Sequence, residues 1–177
     1  MSLSSCARAA TAAETRYRID KPIAPARAAR IFALDDAAAA ITRRVARQQW
    51  ANAKFYVCEA GNGLDGSSNS SGHGRPGAAD DVLLREIDGL SPLPASLQAE
   101  LAGADVAVVI ATQDGGRRSA AAIGRTCSAA GIMTAGIVLG DGSMADDAVA
   151  ALRPYARVLL LSADESDVFE LLTALRV

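Results

Sequence analysis

The sequence predicts an α/β protein, a Rossmann-like domain of three layers (α/β/α) with a mostly parallel sheet of about six strands. The first observation is that short apolar runs alternate with segments whose apolar residues recur at helical spacing, the pattern of βαβ units. The second is the almost continuously apolar run at residues 105–112, typical of a central parallel strand covered on both faces. Right-handed crossovers then place helices on both sides of the sheet.

The chain divides into a loose leader and one domain. Residues 1–26 show no clear period and are interrupted by Pro22, so we expect a single domain over residues 27–177. Half of the 177 residues are hydrophobic, which suffices for one core. Within the domain, residues 61–81 are rich in Gly and Ser and too polar to pack, which predicts a flexible loop.

The strands are predicted where short apolar or aromatic runs are bounded by turn-forming residues. In chain order they are 29–34, 54–58, 82–87, 105–112, 133–139 and 158–161, with a further short strand at 15–19 in the leader. Between and after them the pattern predicts helices at residue 37 to about 52, 95–101, 119–130, 144–155 and 165–175. Asp35 or Asp36 stands at the first N-cap, Gly131 ends the third helix, and Pro154 ends or kinks the fourth.

Composition excludes several classes of partner. A formal net charge of −2 and a pI near 5.4 lack the basic character of a nucleic-acid binder. No run reaches the roughly 18–20 apolar residues that span a bilayer, so we expect no membrane partner. The N-terminus lacks the apolar segment of a secretory signal, which predicts a cytoplasmic protein. The heavy use of Ala and Arg is typical of a GC-rich bacterial genome.

The cysteines and the single histidine carry no recognisable motif. Cys6, Cys58 and Cys127 are odd in number and widely spaced, unlike a zinc site or a disulfide framework, and are interpreted as small buried hydrophobes. His73 falls in the predicted flexible loop, where it lacks the fixed geometry that a catalytic base requires.

A ligand site is predicted at the carboxyl ends of the strands, where open α/β sheets bind their ligands. The richest segment there runs from Gln113 to Ser119. Its glycines allow backbone N–H groups to approach an anion, and its two arginines add charge-assisted contacts. The predicted ligand-binding residues are Gly115, Gly116, Arg117 and Arg118, with Asp35 and Asp36 across the crevice and Asp114 and Asp141 nearby.

Two other interpretations apply to this edge. The glycines and arginines also fit an ordinary turn between a strand and a helix. Aspartates here either converge on a hard cation such as Mg²⁺ or, as is commoner, cap the helices that follow. The set concerned is Asp35, Asp36, Asp114, Asp141 and Asp164. No GxGxxG, no GxxxxGK[ST] and no GxSxG motif is present.

From Leu101 to Leu139 the chain resembles the centre of the GTPase domain of FtsZ, the bacterial relative of tubulin. That family places a strand of the type gaDmvfvtaG, a GGGTGTG phosphate loop, a helix and an iLTvgVV strand in this order. The matching elements are the strand at 105–112, the turn at 113–119, the helix up to Gly131 and the strand at 133–139, about 40 residues in all. The resemblance implies the nucleotide-binding half of an FtsZ-like fold, with GTP or GDP as the cofactor to consider.

The departures from that family point away from hydrolysis. Of its glycine loop only Gly115 and Gly116 remain, and its first-strand glycine loop falls on Asp35, Asp36 and Ala37. The chain ends near the last strand of the nucleotide half, so we expect neither the catalytic loop nor FtsZ-like filaments.

The leading hypothesis is a degenerate, non-hydrolysing FtsZ-like domain that binds a small anionic ligand or a protein partner. One alternative is a small enzyme acting on a phosphorylated or nucleotide substrate, with Asp114 and Asp141 as the first residues to test. Another is a structural homo-oligomer, such as a homodimer, without a ligand.

Overall fold

The computed structural model describes residues 25–59, 82–87, 95–140 and 143–177, which form one seven-stranded sheet between two layers of helices. The strands are β1 Ala29–Ala33, β2 Ala53–Glu59, β3 Leu83–Glu86, β4 Ala95–Ser96, β5 Val106–Ala111, β6 Met133–Leu139 and β7 Ala156–Ala163. The helices are α1 Asp36–Ala46, α2 Leu97–Leu101, α3 Arg117–Ala130, α4 Asp146–Leu152 and α5 Glu165–Ala174, with 3-10 turns at Asp114–Gly116 and Ser143–Ala145. The predicted fold class is confirmed, with seven strands instead of six.

The sheet order is β4-β3-β2-β1-β5-β6-β7. Strands β2, β1, β5, β6 and β7 are parallel, whereas β3 and β4 add an antiparallel hairpin at one edge. The parallel part therefore follows the doubly wound order 2-1-3-4-5, in which the direction of winding reverses between the first and third strands. Here that reversal lies between β1 and β5, where Ile31 pairs with Val108.

The two helix layers cover the two faces of this sheet. Helices α1 and α5 pack on one face, and α2, α3 and α4 pack on the other. Strand β5 is buried along its whole length, as expected for a strand between two layers. On the α3 side the rings of Phe32 and Tyr56 stack with their centroids 5.5 Å apart.

Several predicted element boundaries are wrong. The helix predicted at 144–155 is only Asp146–Leu152, the strand predicted at 158–161 is Ala156–Ala163, and the helix predicted from residue 119 begins at Arg117. Two further differences have a clear cause in tertiary packing. Helix α1 ends at Ala46 and not near residue 52, because Trp50 leaves the helix: its indole N–H donates to the Val45 carbonyl at 2.9 Å and its ring stacks on Phe169. Residues 95–96, predicted as the start of a helix, instead form β4, and helix α2 begins at Leu97. In both cases tertiary packing overrides a local helical pattern.

Several sequence predictions fall outside the described residues. They include the strand at 15–19, nearly all of the leader at 1–26, the loop at 61–81, His73 and Cys6. Cys58 and Cys127 are buried free thiols, as predicted. Within the described ranges no helix has the length and hydropathy that crossing a bilayer requires.

Candidate functional site

Asp35 lies at the point where the sheet reverses its winding. It follows β1 and caps α1, its carboxylate accepting the Ala38 N–H at 2.8 Å. The same carboxylate also accepts hydrogen bonds from the residues that directly follow β5. These are from the Thr112 N–H at 2.7 Å, the Thr112 hydroxyl at 2.6 Å and the Gln113 N–H at 3.2 Å. Asp35 thus takes up donors from both sides of the crevice, including backbone N–H groups of the kind that hold a ligand phosphate in folds of this order.

The two glycines of the predicted site have different surroundings. Gly116 is buried, and a Cβ built on it would lie 2.5 Å from the Leu34 Cβ, so the turn packs directly on the end of β1. Gly115 is exposed, and its Cβ would meet no atom within 4 Å. Only Gly115 therefore leaves room for a ligand against the backbone.

Helix α3 begins without a side-chain cap. Neither Gln113, before the 3-10 turn, nor Gly116, before the helix, accepts a capping hydrogen bond, and the first turn holds no acidic residue. Instead it carries Arg117 and Arg118, both exposed. Positive side chains at this end oppose the helix dipole, whereas an anion is stabilised there by the dipole and by free backbone donors.

Asp114 and Arg117 both contact the first turn of α4. The Asp114 carboxylate accepts the Asp147 N–H at 2.7 Å, which fixes the 3-10 turn against that helix. Arg117 lies 3.8 Å from the Asp147 carboxylate, with both side chains more than half exposed. Such a pair stabilises the fold little, so the Arg117 guanidinium is available to another anion.

The remaining predicted residues do not join this group. Asp36 is an exposed first-turn residue of α1, and Asp141 lies outside the described residues. Asp164 caps α5 through the Ser166 and Asp167 N–H groups. The commoner interpretation of these aspartates is thus confirmed for Asp35 and Asp164, which cap helices. The part of the chain that the structure describes contains no group of three or more His, Cys, Asp or Glu side chains placed to hold a metal ion.

The sequence pattern did not reveal two residues, Leu34 and Thr112, that determine how this edge of the sheet is packed. Leu34 closes over Gly116, and Thr112 joins Asp35 across the crevice. The available signal was that Asp35 directly follows one predicted strand and Thr112 is the last residue of another. Whether those strands are neighbours depends on the sheet order, which the local pattern does not contain.

Comparison with known proteins finds no relative: no family model, no curated protein and no solved structure matches the chain.

Proposed function

We propose that this chain is a non-hydrolysing binding domain, distantly FtsZ-like, that takes a small anionic ligand at the N-terminus of α3. One observation carries the proposal. The Asp35 carboxylate occupies the backbone donors inside the crevice. Among the described residues of this edge, the uncapped start of α3, with Gly115, Arg117 and Arg118, is the place that remains for an anion.

Charge and geometry at Asp35 support the proposed lack of hydrolysis. A nucleotide phosphate in the crevice would meet a carboxylate already hydrogen-bonded to Ala38, Thr112 and Gln113. Displacing the carboxylate would break these bonds, and leaving it would place two anions side by side. Binding without turnover is therefore the activity that this edge supports.

The ligand on α3 would be bound from two directions. The start of a helix leaves backbone N–H groups without partners in the helix, and the open space beside Gly115 would let an oxyanion approach the backbone closely. The guanidiniums of Arg117 and Arg118 add fork-shaped donors that suit phosphate or carboxylate. Arg117 exchanges its exposed contact with Asp147 for the ligand.

The test is a thermal-shift screen with inorganic phosphate, GDP and GTP, with and without Mg²⁺, together with an assay of phosphate release from GTP. Phosphate at about a hundred times its dissociation constant should stabilise the protein by about 2.7 kcal/mol. An Arg117→Ser/Arg118→Ser variant should show a clearly smaller shift than the wild type, whereas Arg43→Ser, which replaces an exposed arginine on α1, should keep the full shift. Phosphate release from GTP should stay at background.

Two results would overturn the proposal. GTP turnover above background would show that Asp35 does not close the crevice. If phosphate raised the melting temperature of the Arg117→Ser/Arg118→Ser variant as much as that of the wild type, anion binding at the start of α3 would be ruled out.

A further inference from the structure

A cavity lies at the edge of the sheet opposite the start of α3, at the amino ends of the parallel strands. Its volume is about 620 Å³, within the range of small-ligand pockets. Its lining comes from the chain before β1, from the starts of β5, β6 and β7, from the end of α3 and from the residues after α5. Three arginines from separate parts of the chain, Arg27, Arg157 and Arg176, line it.

The cavity has a net positive lining. Its one acidic residue is Asp105, whose carboxylate accepts the Ala28 N–H at 2.8 Å. The described residues place no carboxylate in an ion pair with Arg27, Arg157 or Arg176. Three arginines therefore share this lining with one carboxylate that already has a hydrogen-bond partner.

Arg27 is the most constrained of the three. It is half-buried, and its guanidinium makes one side-chain contact in the described part of the chain, to the Met133 sulfur at 3.8 Å. Sulfur is a weak acceptor, whereas a guanidinium carries five N–H donors. An anion in the cavity would give this guanidinium the oxygen acceptors that the described residues do not provide.

Arg176 is held beside Arg27 in an unusual backbone conformation. Its φ is +58°, and it ends α5 in a Schellman motif: Val177 N–H donates to the Leu172 carbonyl and Arg176 N–H to the Thr173 carbonyl. Glycine is the preferred residue at this position. The Arg176 carbonyl accepts the Arg27 N–H at 2.8 Å, so the backbones of the two arginines are fixed next to each other.

The opposite wall offers further polar and aromatic groups. The Tyr155 ring packs against α3 so closely that a Cβ on Gly124 would lie 2.3 Å from a ring carbon. The buried Thr134 hydroxyl, on a residue that also lines the cavity, has no oxygen or nitrogen partner in the described part of the chain. Its polar neighbour is the Cys127 thiol, and it lowers the pKa of that thiol slightly against the larger, opposite effect of burial.

We infer that this cavity is a binding site for a compact polyanion carrying phosphate or carboxylate groups, held by Arg27, Arg157 and Arg176. The site is independent of the proposed function, because it lies at the other edge of the sheet from α3's first turn. The three arginines bind the ligand, and we assign no reaction to the site.

The experiment is a calorimetric titration of the full chain with sodium pyrophosphate in buffer without divalent cations. Arg157→Ser and Arg176→Gly should each raise the dissociation constant about tenfold or more, since each removes a charge-assisted fork. Arg176→Gly is the sharper variant, because glycine suits the backbone at this position and the variant should melt no lower than the wild-type chain. Loss of affinity then does not arise from loss of folding.

Controls separate this site from the one on α3. Arg43→Ser removes the same charge outside the cavity, and Arg117→Ser/Arg118→Ser removes the arginines of the other edge. In both variants the cavity should bind pyrophosphate within about twofold of its wild-type affinity, even where the second variant loses a separate binding event at α3. Competition by citrate would extend the ligand class to carboxylates, and failure of citrate would restrict it to phosphates, both in support of the site.

Three outcomes would overturn the inference. They are no pyrophosphate binding at millimolar concentration, equal weakening by Arg43→Ser, and loss of binding in Arg117→Ser/Arg118→Ser while Arg157→Ser and Arg176→Gly bind normally. The last outcome would leave the proposed function standing.

Discussion

The Asp35 carboxylate joins the two sides of the crevice between β1 and β5 by hydrogen bonds. It connects the start of α1 to the end of β5 through Ala38, Thr112 and Gln113. Its N-cap role is readable from the sequence, because an aspartate directly follows an apolar strand and precedes a helical pattern. Its bonds to Thr112 and Gln113 are not readable, since they depend on β1 and β5 being neighbours.

We therefore expect Asp35→Ala to lower the free energy of unfolding by about 2–4 kcal/mol, the sum of a lost cap and of donors left unpaired in a half-buried position. Asp36→Ala removes the same charge one residue later, from an exposed position, and should change stability by about 0.5 kcal/mol or less. Urea unfolding of both variants measures the difference. Equal effects would mean that Asp35 acts only through its charge.

The two adjacent glycines provide a second matched pair. A Cβ at Gly116 would come within 2.5 Å of the Leu34 Cβ, whereas a Cβ at Gly115 meets open space. Gly116→Ala should cost about 1–3 kcal/mol, as overpacking does, while Gly115→Ala should stay within about 0.5 kcal/mol of the wild type. Thermal unfolding compares them. Loss of stability in Gly115→Ala with none in Gly116→Ala would contradict the packing described at this turn.

At the scale of elements, α5 is fixed at its start by local and long-range bonds. The Asp164 carboxylate accepts from the Ser166 hydroxyl and from the Ser166 and Asp167 N–H groups. In return, the Asp167 carboxylate accepts the Asp164 N–H. Next to this capping box, Glu165 pairs with Arg44 on α1 with oxygen–nitrogen distances down to 2.6 Å. The start of α5 is thus tied to α1 on the same face of the sheet.

The hydrogen bonds to Asp164 predict an acid-sensitive contribution to stability. They lower the pKa of Asp164, first through the Ser166 hydroxyl, and Arg44 lowers the pKa of Glu165. Because the folded pKa values are depressed, this contribution is present above the unfolded values near 4 and is lost as the pH falls through the folded ones. In Asp164→Ala the free energy of unfolding should therefore decrease less steeply than in the wild type as the pH falls from 5 to 3, which urea unfolding measures. An equally steep decrease in the variant would contradict the capping role.

The sequence predicts elements better than their arrangement. Long apolar runs such as β5 and β6 lie within one residue of their predicted positions, because burial on both faces leaves little ambiguity. The two-residue strand β4 was missed, since its pairing with β3 is a tertiary effect and residues 95–101 have a helical pattern of their own. The end of α1 was missed for the same reason, because Trp50 packs on Phe169 of α5.

At the scale of the molecule, the ligand-site prediction concerned the carboxyl edge alone, following the general rule for open α/β sheets. Arg27 precedes β1 and Arg157 is the second residue of β7, and nothing local in the sequence indicates that the two line one cavity. The folded chain brings them together with Arg176, and an aspartate-rich edge then faces away from an arginine-lined one.

Three buried acidic groups in the core, two thiols and one tyrosine hydroxyl, predict that the free energy of unfolding decreases at alkaline pH. Burial raises the pKa of the Cys58 thiol to about 12 and that of Cys127 to about 11, and burial together with the hydrogen bond to Glu100 raises the pKa of the Tyr56 hydroxyl. Below the unfolded pKa values, near 8.5 for cysteine and 10 for tyrosine, these groups are protonated in both states and their contribution is fully present. Above those values the unfolded chain ionises first, and stability is lost as the pH rises towards the folded pKa values.

Each thiol should therefore lower the free energy of unfolding by up to about 1.4 kcal/mol per pH unit above pH 8.5. Urea unfolding between pH 8.5 and 9.5 isolates the thiols, because an unfolded tyrosine is still largely protonated in that window. A Cys58→Ala/Cys127→Ala variant should start less stable but lose stability less steeply with pH. Both native thiols should also resist alkylation at pH 8 until the protein unfolds, because a buried, protonated thiol is a poor nucleophile. Rapid labelling of Cys58 or Cys127 in the folded chain, or an equal pH slope in the variant, would show that these thiols are exposed to solvent.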